Sequence, residues 1–123
     1  MRLDKEKLKN IDKLPADVRR ELALLMNKHD QKTKESKIKS DFLTFVKHVW
    51  PDFIEGKHHK EIADKFNKLA EGKIKRLIIN MPPRHTKSEF GSYLLPAWMV
   101  GKNPKLKIIQ STNTTELSVR FGR

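Results

Sequence analysis

Two short apolar runs in the second half of the chain constrain its fold more than any other feature. The first, Leu77-Ile78-Ile79, lies within residues 76–81, and the second lies within residues 106–110. Both are too short for a helix and rich in β-branched residues. A continuous apolar run of this length is typical of a strand buried on both faces of a parallel sheet. The sequence therefore predicts strands at 76–81 and 106–110.

Amphipathic helices are predicted before the first run. Apolar residues recur at helical spacing over about 16–29. Ser40 is a candidate cap for a helix that Pro51 ends. Gly56 precedes another helix, which stops at Gly72. The buried stripes of these two helices are Phe42, Phe45, Val46 and Val49 in the first, and His59, Ile62, Phe66 and Leu69 in the second.

Further helices are predicted after each apolar run. Residues 88–100 are expected to form a helix with a kink or break at Pro96. Thr112 or Thr114 is a candidate cap for a last helix that continues through Arg120. The order is thus helices followed by β-loop-α-β-α. This alternation predicts an α/β fold with a parallel sheet, although two strands do not stabilise such a sheet alone.

Charge patterning divides the chain near residue 39. Residues 1–13 are rich in Lys, Asp and Glu and are expected to form a frayed helix or tail. Residues 29–39 are interpreted as either a basic linker or a solvated helix extension. We therefore predict a charged helical N-terminal region with a linker over 1–39, and a second domain over 40–123.

The chain is strongly basic, with 27 Lys and Arg residues against 15 acidic ones and a net charge of +12. Such a balance makes a polyanionic partner plausible. The basic stretches 32–39 and 102–107 are candidate contacts to DNA phosphates, with solvated helix faces as the alternative. There is no cysteine, which excludes disulfides and thiolate metal sites. No apolar run approaches the roughly 20 residues of a membrane span, so an intracellular protein without a membrane partner is expected.

The loop 81–88, MPPRHTKS, is the main candidate for chemistry. It lies between a predicted strand and a predicted helix and ends in Lys87-Ser88. A phosphate-binding loop needs converging backbone N–H groups, a lysine that reaches the β- and γ-phosphates, and a hydroxyl on Mg²⁺ in the first helical turn. Lys87 and Ser88 occupy those last two places. Both glycines of the usual pattern are missing, however, because Met81 and Thr86 stand in their positions.

Other candidate residues have structural alternatives. His58 and His59 are adjacent, so on a helix their side chains diverge and do not share a metal without other ligands. Trp50 and Trp98 lie beside prolines within apolar patterns, which favours core positions over base stacking. His85 is interpreted as a spacer within the loop.

The run RLIINMPPRHTKSEF, followed by LLPAWMVGKNPKLKIIQST and LSVRFGR, resembles the Walker A region of phage terminase large subunits. In that family a loop of the form MPPRHGKS precedes a Pro-Ala-Trp helix. The resemblance extends back to about Phe42 and covers about two thirds of the chain. Thr86 departs from it, because the family usually has glycine there, and its Cβ is expected to weaken nucleotide binding.

The resemblance implies the ATP-binding part of a viral DNA-packaging motor, which couples ATP hydrolysis to DNA translocation into the capsid. Residues 40–123 would be the N-terminal half of a P-loop ATPase domain, with its parallel sheet truncated. Lys87 and Arg84 would be catalytic, and Ser88 would bind Mg²⁺. The residues implied to bind ATP are Pro83, Arg84, His85, Thr86, Lys87 and Ser88 in the loop, with His59 or its neighbour His58 at the adenine.

The same resemblance implies double-stranded DNA, a terminase small subunit and a portal protein as partners, a homo-oligomeric ring, and the host cytoplasm as location. No acidic Walker B strand follows Gln110, and no nuclease domain is present. Residues 1–123 are therefore expected to be an incomplete ATPase that is inactive alone. Two alternatives remain: a non-catalytic DNA- or partner-binding module with a degenerate loop, and another P-loop NTPase such as a helicase.

Overall fold

The structure, a computed structural model, describes residues 15–122, with side chains through residue 120. The tail predicted at 1–13 lies outside this range. The elements in chain order are α1 (Ala16–Ser40), α2 (Phe42–Val49), α3 (Lys57–Ala70), a π-helix (Glu89–Leu94), α4 (Leu95–Lys102) and α5 (Thr115–Gly122). The chain divides into two compact units, Met1–Ser36 and Lys37–Arg123.

The described part of the first unit is a solvated stretch of α1, a helix of 25 residues in which none is buried. The helix continues through 29–39, the stretch that the sequence left as either a linker or a helix extension. No Gly or Pro interrupts it, and its Leu, Lys, Glu and Gln residues are good helix formers. The helix extension is therefore the alternative that the structure shows.

Asp41 is the N-cap of α2, so the predicted cap Ser40 was wrong by one residue. Its carboxylate accepts hydrogen bonds from the backbone N–H of Thr44 at 2.7 Å and from the Thr44 hydroxyl at 2.6 Å. The other carboxylate oxygen accepts a bond from the Asn67 amide at 2.9 Å. The Asn67 carbonyl in turn accepts from the N–H of Phe42 at 2.9 Å. The start of α2 is thus tied to α3 by paired polar groups.

Asp41→Ala should lower the free energy of unfolding by about 1–2 kcal/mol, because loss of an N-cap costs roughly 0.5–2 kcal/mol and Asn67 also loses its partner. Burial raises the pKa of the Asp41 carboxyl, but hydrogen bonds from Thr44 and Asn67, with the charge of Lys47, lower it overall from 3.8. A lowered folded-state pKa means that the stabilisation is complete above about pH 4 and is lost as the pH falls from there through the lower, folded-state pKa.

Urea unfolding at neutral pH and at about pH 3 measures both effects of the Asp41 substitution. Ser40→Ala is the matched control, because the Ser40 hydroxyl donates only to a carbonyl of α1. Equal stability of the two variants at neutral pH would contradict the assignment of Asp41 as the cap.

Phe42 is the centre of the core and is 0% exposed. Its ring lies next to four other aromatic rings, with centroid distances of 5.0–6.4 Å to Phe45, Phe66, Phe90 and Trp98. The contacts with Phe66, Phe90 and Trp98 are edge-on, a geometry that adds to the gain from burial. The remaining buried apolar residues are Val46, Ile62, Ala63 and Leu94. One core is therefore shared by α2, α3 and the helix at 87–102.

The two tryptophans differ in burial. Trp98 is 2% exposed, and its Nε1–H donates to the Ile38 carbonyl at 3.0 Å. The Lys102 ammonium lies 4.9 Å from the centre of the same ring. The prediction of a core position is confirmed for Trp98. Trp50 is half-buried and packs against Phe53, with ring centroids 5.5 Å apart.

Pro96 widens the helix after the loop instead of ending it. Residues 87–88 are α-helical, Glu89–Leu94 form the π-helix, and α4 follows without interruption. Pro96 has no N–H to donate to the Ser92 carbonyl one turn earlier, and its ring crowds that carbonyl. The wider π-turn relieves the crowding. The Gln110 side-chain amide donates to the Ser92 carbonyl at 2.8 Å in place of the missing N–H.

The predicted α/β fold is wrong: residues 15–122 contain no strand, and this part of the chain is all-α. The truncated P-loop NTPase sheet is therefore not formed. No backbone hydrogen bond joins 76–81 to 106–110. Leu77 and Ile79 pack against the core, but Ile78 is 86% exposed and Ile109 is 98% exposed. A parallel sheet needs neighbouring strands and cover on both faces, and the described residues provide neither.

Candidate anion-binding loop

The core holds the loop 81–88 at both ends. Met81, at its start, packs against the core cluster, and Phe90, two residues beyond its end, is 1% exposed. Residues 82–85 and 87–88 are exposed, and Thr86 between them is half-buried. The loop therefore presents its backbone to solvent from a fixed base.

Two residues of the loop have left-handed backbone conformations. The angle φ is 66° at Arg84 and 57° at Thr86, whereas His85 between them has no positive φ. Left-handed residues within a tight turn are a feature of anion-binding concavities, in which successive N–H groups converge. The helix begins at once, since the N–H of Phe90 donates to the Thr86 carbonyl at 2.9 Å. Its first turn adds further N–H groups that have no partner within the helix.

Thr86 is poorly suited to this backbone. A left-handed conformation costs an L-residue roughly 1–2 kcal/mol, and glycine alone adopts it freely. The Thr86 hydroxyl makes two hydrogen bonds, one with His59 Nε2 at 2.7 Å and one to the His85 carbonyl at 2.6 Å. Each such bond contributes about 0.5–1.5 kcal/mol, so together they offset the cost. The positive φ also gives a physical reason for the glycine of the resembling loops.

His59 lies at the start of α3 with both ring nitrogens engaged, and it is 6% exposed. The N–H of Gly56 donates to His59 Nδ1 at 2.9 Å. In a neutral ring the proton is therefore on Nε2, which donates to the Thr86 hydroxyl. The ring also packs against Phe53 and Phe90, with centroid distances of 4.8 and 5.1 Å. Gly56, His59, Thr86 and the His85 carbonyl thus form one chain of hydrogen bonds.

The surroundings of His59 favour its neutral form. Burial lowers the pKa of the imidazole from 6.5, the neighbouring His58 lowers it further, Glu55 opposes this, and His85 again lowers it. Gly56 permits the close packing of these rings, because a Cβ at that position would lie 2.9 Å from His58 Cε1. His59 is therefore uncharged at neutral pH.

Arg84 and Lys87 place two positive charges beside this helix N-terminus. Both are exposed, and neither forms an ion pair or a side-chain hydrogen bond within residues 15–120. Cations are unfavourable at a helix N-terminus, where the dipole is already positive. A carboxylate oxygen of Glu89, in the first turn, lies 3.7 Å from a guanidinium nitrogen of Arg120. The local charge therefore favours a multiply charged anion.

Pro83, His85 and Ser88 complete the predicted set. The Nδ1–H of His85 donates to the Pro83 carbonyl at 3.0 Å, which closes a turn and leaves the ring without a further hydrogen bond in the described residues. Ser88 is exposed in the first helical turn, with φ −69° and ψ −39°. The six predicted loop residues are consecutive in the chain, and His59 contacts this segment through Thr86.

The two adjacent histidines differ in their access to a ligand. His59, which the resemblance assigned to the adenine, lies buried behind Thr86. His58 is half-buried and lines a cleft of about 380 Å³ between α3 and residues 77–81. Of the two, His58 is the one that the cleft makes accessible.

Ser88 carries the hydroxyl predicted to bind Mg²⁺. Within the described residues, no group of three or more His, Asp or Glu side chains is arranged to hold a metal ion. Mg²⁺ usually keeps several waters and takes one or two protein ligands together with substrate phosphates. A single hydroxyl beside a phosphate loop therefore fits a cation that arrives bound to a nucleotide.

Sequence reasoning missed the contact from His59 to Thr86. The two residues are 27 positions apart, so no local pattern connects them. The sequence does carry a signal for the fixed position of the His59 ring. Gly56 and His59 have the spacing of a capping box, in which the side chain of the third helical residue accepts from the N-cap N–H.

No family model, no curated protein and no solved structure matches this chain. None of the described helices is long and apolar enough to cross a membrane. The geometry and charge of the loop are therefore the features that point to a function.

Proposed function

We propose that residues 81–88 bind the triphosphate of ATP together with Mg²⁺, and that the chain is the ATP-binding part of a viral DNA-packaging motor of the terminase large-subunit type. The observation that carries the proposal is the loop backbone. Left-handed Arg84 and Thr86 directly precede a helix whose first residues are Lys87 and Ser88. Converging N–H groups, a lysine and a hydroxyl are the groups that recognise a polyphosphate and its metal.

The proposal depends on this loop and on no sheet. Met81 and Phe90 fix the ends of the loop in a helical core, and His59 of α3 contacts Thr86 within the loop. The motor class is supported by the resemblance of MPPRHTKS and the following Pro-Ala-Trp segment to terminase large subunits. Helices thus hold the start of the loop in place, where the sequence predicted that a strand would do so.

Each loop residue has a role in the proposed site. Lys87 contacts the β- and γ-phosphates, and Arg84 stabilises charge on the γ-phosphate. The Ser88 hydroxyl is a ligand of Mg²⁺, which neutralises phosphate charge when bound. Pro83 and His85 form the turn. The left-handed conformation of Thr86 directs its own N–H and the N–H groups of the next residues toward the phosphates. Arg84 and Lys87 suit these roles because no carboxylate of residues 15–120 pairs with them.

Turnover requires a carboxylate that orients the attacking water. Glu89, just after the loop, pairs with Arg120. Glu55, whose charge acts on His59, pairs with Lys47 and Lys60. We therefore propose that residues 1–123 bind nucleotide, and that hydrolysis in the parent ATPase draws its carboxylate from elsewhere.

Double-stranded DNA is the cargo in this proposal, and the net charge of +12 suits a polyanion. The terminase small subunit, the portal protein, a ring of copies and the host cytoplasm belong to the same proposal. A non-catalytic DNA-binding module is the second candidate, and the same positive charge favours it. Nucleotide binding at the loop distinguishes the two.

Mg-ATP added to the 123-residue chain should shift the backbone amide resonances of residues 84–88, and calorimetry should give one site. Tripolyphosphate should displace ATP, whereas adenosine should not, because the loop recognises phosphate. Phosphate release should stay at background in the same samples. Displacement by adenosine as effective as that by tripolyphosphate would place the site elsewhere. DNA binding without any response of 84–88 to ATP would favour the second candidate.

A further inference from the structure

The contact between His59 and Thr86 joins α3 to the most constrained residue of the loop. Thr86 is a β-branched residue in a left-handed conformation, and its hydroxyl is 2.7 Å from His59 Nε2. His59 is itself fixed by the N–H of Gly56 and by the rings of Phe53 and Phe90. A rigid donor is therefore aimed at the residue whose backbone sets the direction of the loop amides.

We propose that His59 is a positioning residue for the anion-binding loop: through its Nε2–H it holds Thr86 in the left-handed conformation that turns the loop amides toward phosphate. This inference deepens the proposed function and rests on it for the identity of the ligand. His59 is buried behind Thr86 and acts through it, without contacting the phosphates. A glycine at position 86 would not need this support, because it adopts positive φ without strain.

The mechanism predicts a dependence on the proton of His59. Nδ1 accepts from the Gly56 N–H only while it carries no proton, so an imidazolium has to leave this position and Thr86 loses its donor. The titratable groups that act on the ring are Glu55 before α3, His58 on α3 and His85 in the loop. Burial lowers the pKa of His59 from 6.5, so the loop is held at neutral pH and loosens as the pH falls through the folded-state value.

The direction of this pH effect separates positioning from direct contact. A histidine that touched the anion would strengthen binding when it became charged. A positioning histidine weakens binding when it is charged, because the loop amides lose their alignment. His58 and His85 are present in every variant, so a comparison between variants isolates the part due to His59.

The experiment is a double-mutant cycle on the full 123-residue chain with tripolyphosphate as the probe. His59→Phe keeps the ring packing but removes both nitrogens, and it should weaken binding about tenfold when Thr86 is present. Thr86→Gly should tighten binding a few-fold, and His59→Phe should then change the affinity by less than about twofold. Acidification below about pH 6.5 should weaken binding by the wild-type chain more than by Thr86→Gly. An equal loss from His59→Phe in both backgrounds would show a merely structural role and overturn the inference.

A second variant covers the case in which His59→Phe does not fold. Thr86→Val removes only the hydroxyl and leaves α3 intact, and it should weaken binding by about tenfold. Unchanged affinity in Thr86→Val would overturn the inference without reference to α3.

A ligand-free measurement separates this inference from the proposed function. Ring nitrogen resonances of His59 should show the Nε2–H tautomer. Backbone chemical shifts should show a left-handed conformation at position 86 in the wild-type chain and its loss in Thr86→Val. Both results in a chain that binds no tripolyphosphate would refute the proposed function and keep the positioning role. An Nδ1–H tautomer, or a left-handed conformation at position 86 that persists in Thr86→Val, would refute the positioning role whatever the ligand result.

Discussion

Lys87→Ala should weaken the binding of Mg-ATP by roughly 10–100-fold, because a hydrogen bond to a charged group contributes about 1.5–3 kcal/mol. The Lys87 side chain is exposed and has no partner within residues 15–120, so the fold does not depend on it. The melting temperature of the ligand-free variant should therefore equal that of the wild-type chain. Calorimetric titration and a thermal melt measure the two quantities.

Lys105→Ala is the matched control, because it removes an equally exposed lysine in the turn after α4. Its affinity for Mg-ATP should stay within about twofold of wild type, since a charge outside the site acts only through screened, long-range attraction. Wild-type affinity in a correctly folded Lys87→Ala chain would remove Lys87 from the site and with it the proposed role of the loop.

Phe42→Ala should lower the free energy of unfolding by about 3–5 kcal/mol, which is typical of Phe→Ala in a core. Phe42 is 0% exposed and contacts four other aromatic rings, so its removal leaves a cavity between α2, α3 and the helix at 87–102. Small domains are stable by about 5–15 kcal/mol, so this change removes a large share of the total. Urea unfolding followed by circular dichroism measures it.

Val49→Ala on the same helix is the control, because Val49 is 47% exposed and should cost less than about 1 kcal/mol. A Phe42→Ala chain that unfolds at the same urea concentration as Val49→Ala would show that the aromatic cluster is not the main source of stability.

The helices could be predicted from the sequence because their signals are local. Both predicted stripes have helical spacing, and most of their residues lie in or against the core. Val49, at the end of the first stripe, was wrongly predicted to be buried, because it is 47% exposed. The predicted cap Ser40 was wrong by one residue: Asp41 accepts the capping bond from the Thr44 N–H, whereas the Ser40 hydroxyl donates to the Lys37 carbonyl.

The strands could not be predicted in the same way, because a strand exists only through its neighbours. Leu77-Ile78-Ile79 has a suitable composition, but Ile78 is exposed and no second segment of the described chain pairs with it. A local β-preference is therefore satisfied here by half-burial of Leu77 and Ile79 against helices.

The loop residues could be proposed from sequence because they are consecutive and end in Lys87-Ser88. Their backbone shape could not, since a positive φ at a threonine contradicts its intrinsic preference. The stabilising partner, His59, comes from another helix, and only the folded chain brings the two together.

The π-helix between the loop and α4 determines the angular alignment of the core side chains. Phe90, Leu94 and Trp98 follow each other at intervals of four, and all three are buried. In an uninterrupted α-helix, residues eight positions apart are rotated by roughly 80° about the axis, so Phe90 and Trp98 would face different directions. A π-turn holds more residues than an α-turn, so each of its residues is rotated by a smaller angle about the helix axis. Phe90 and Trp98 therefore come to lie on the same side of the helix. The wider turn between Ser92 and Pro96 therefore removes the angular offset between the two side chains. It allows a single ring, Phe42, to contact both Phe90 and Trp98.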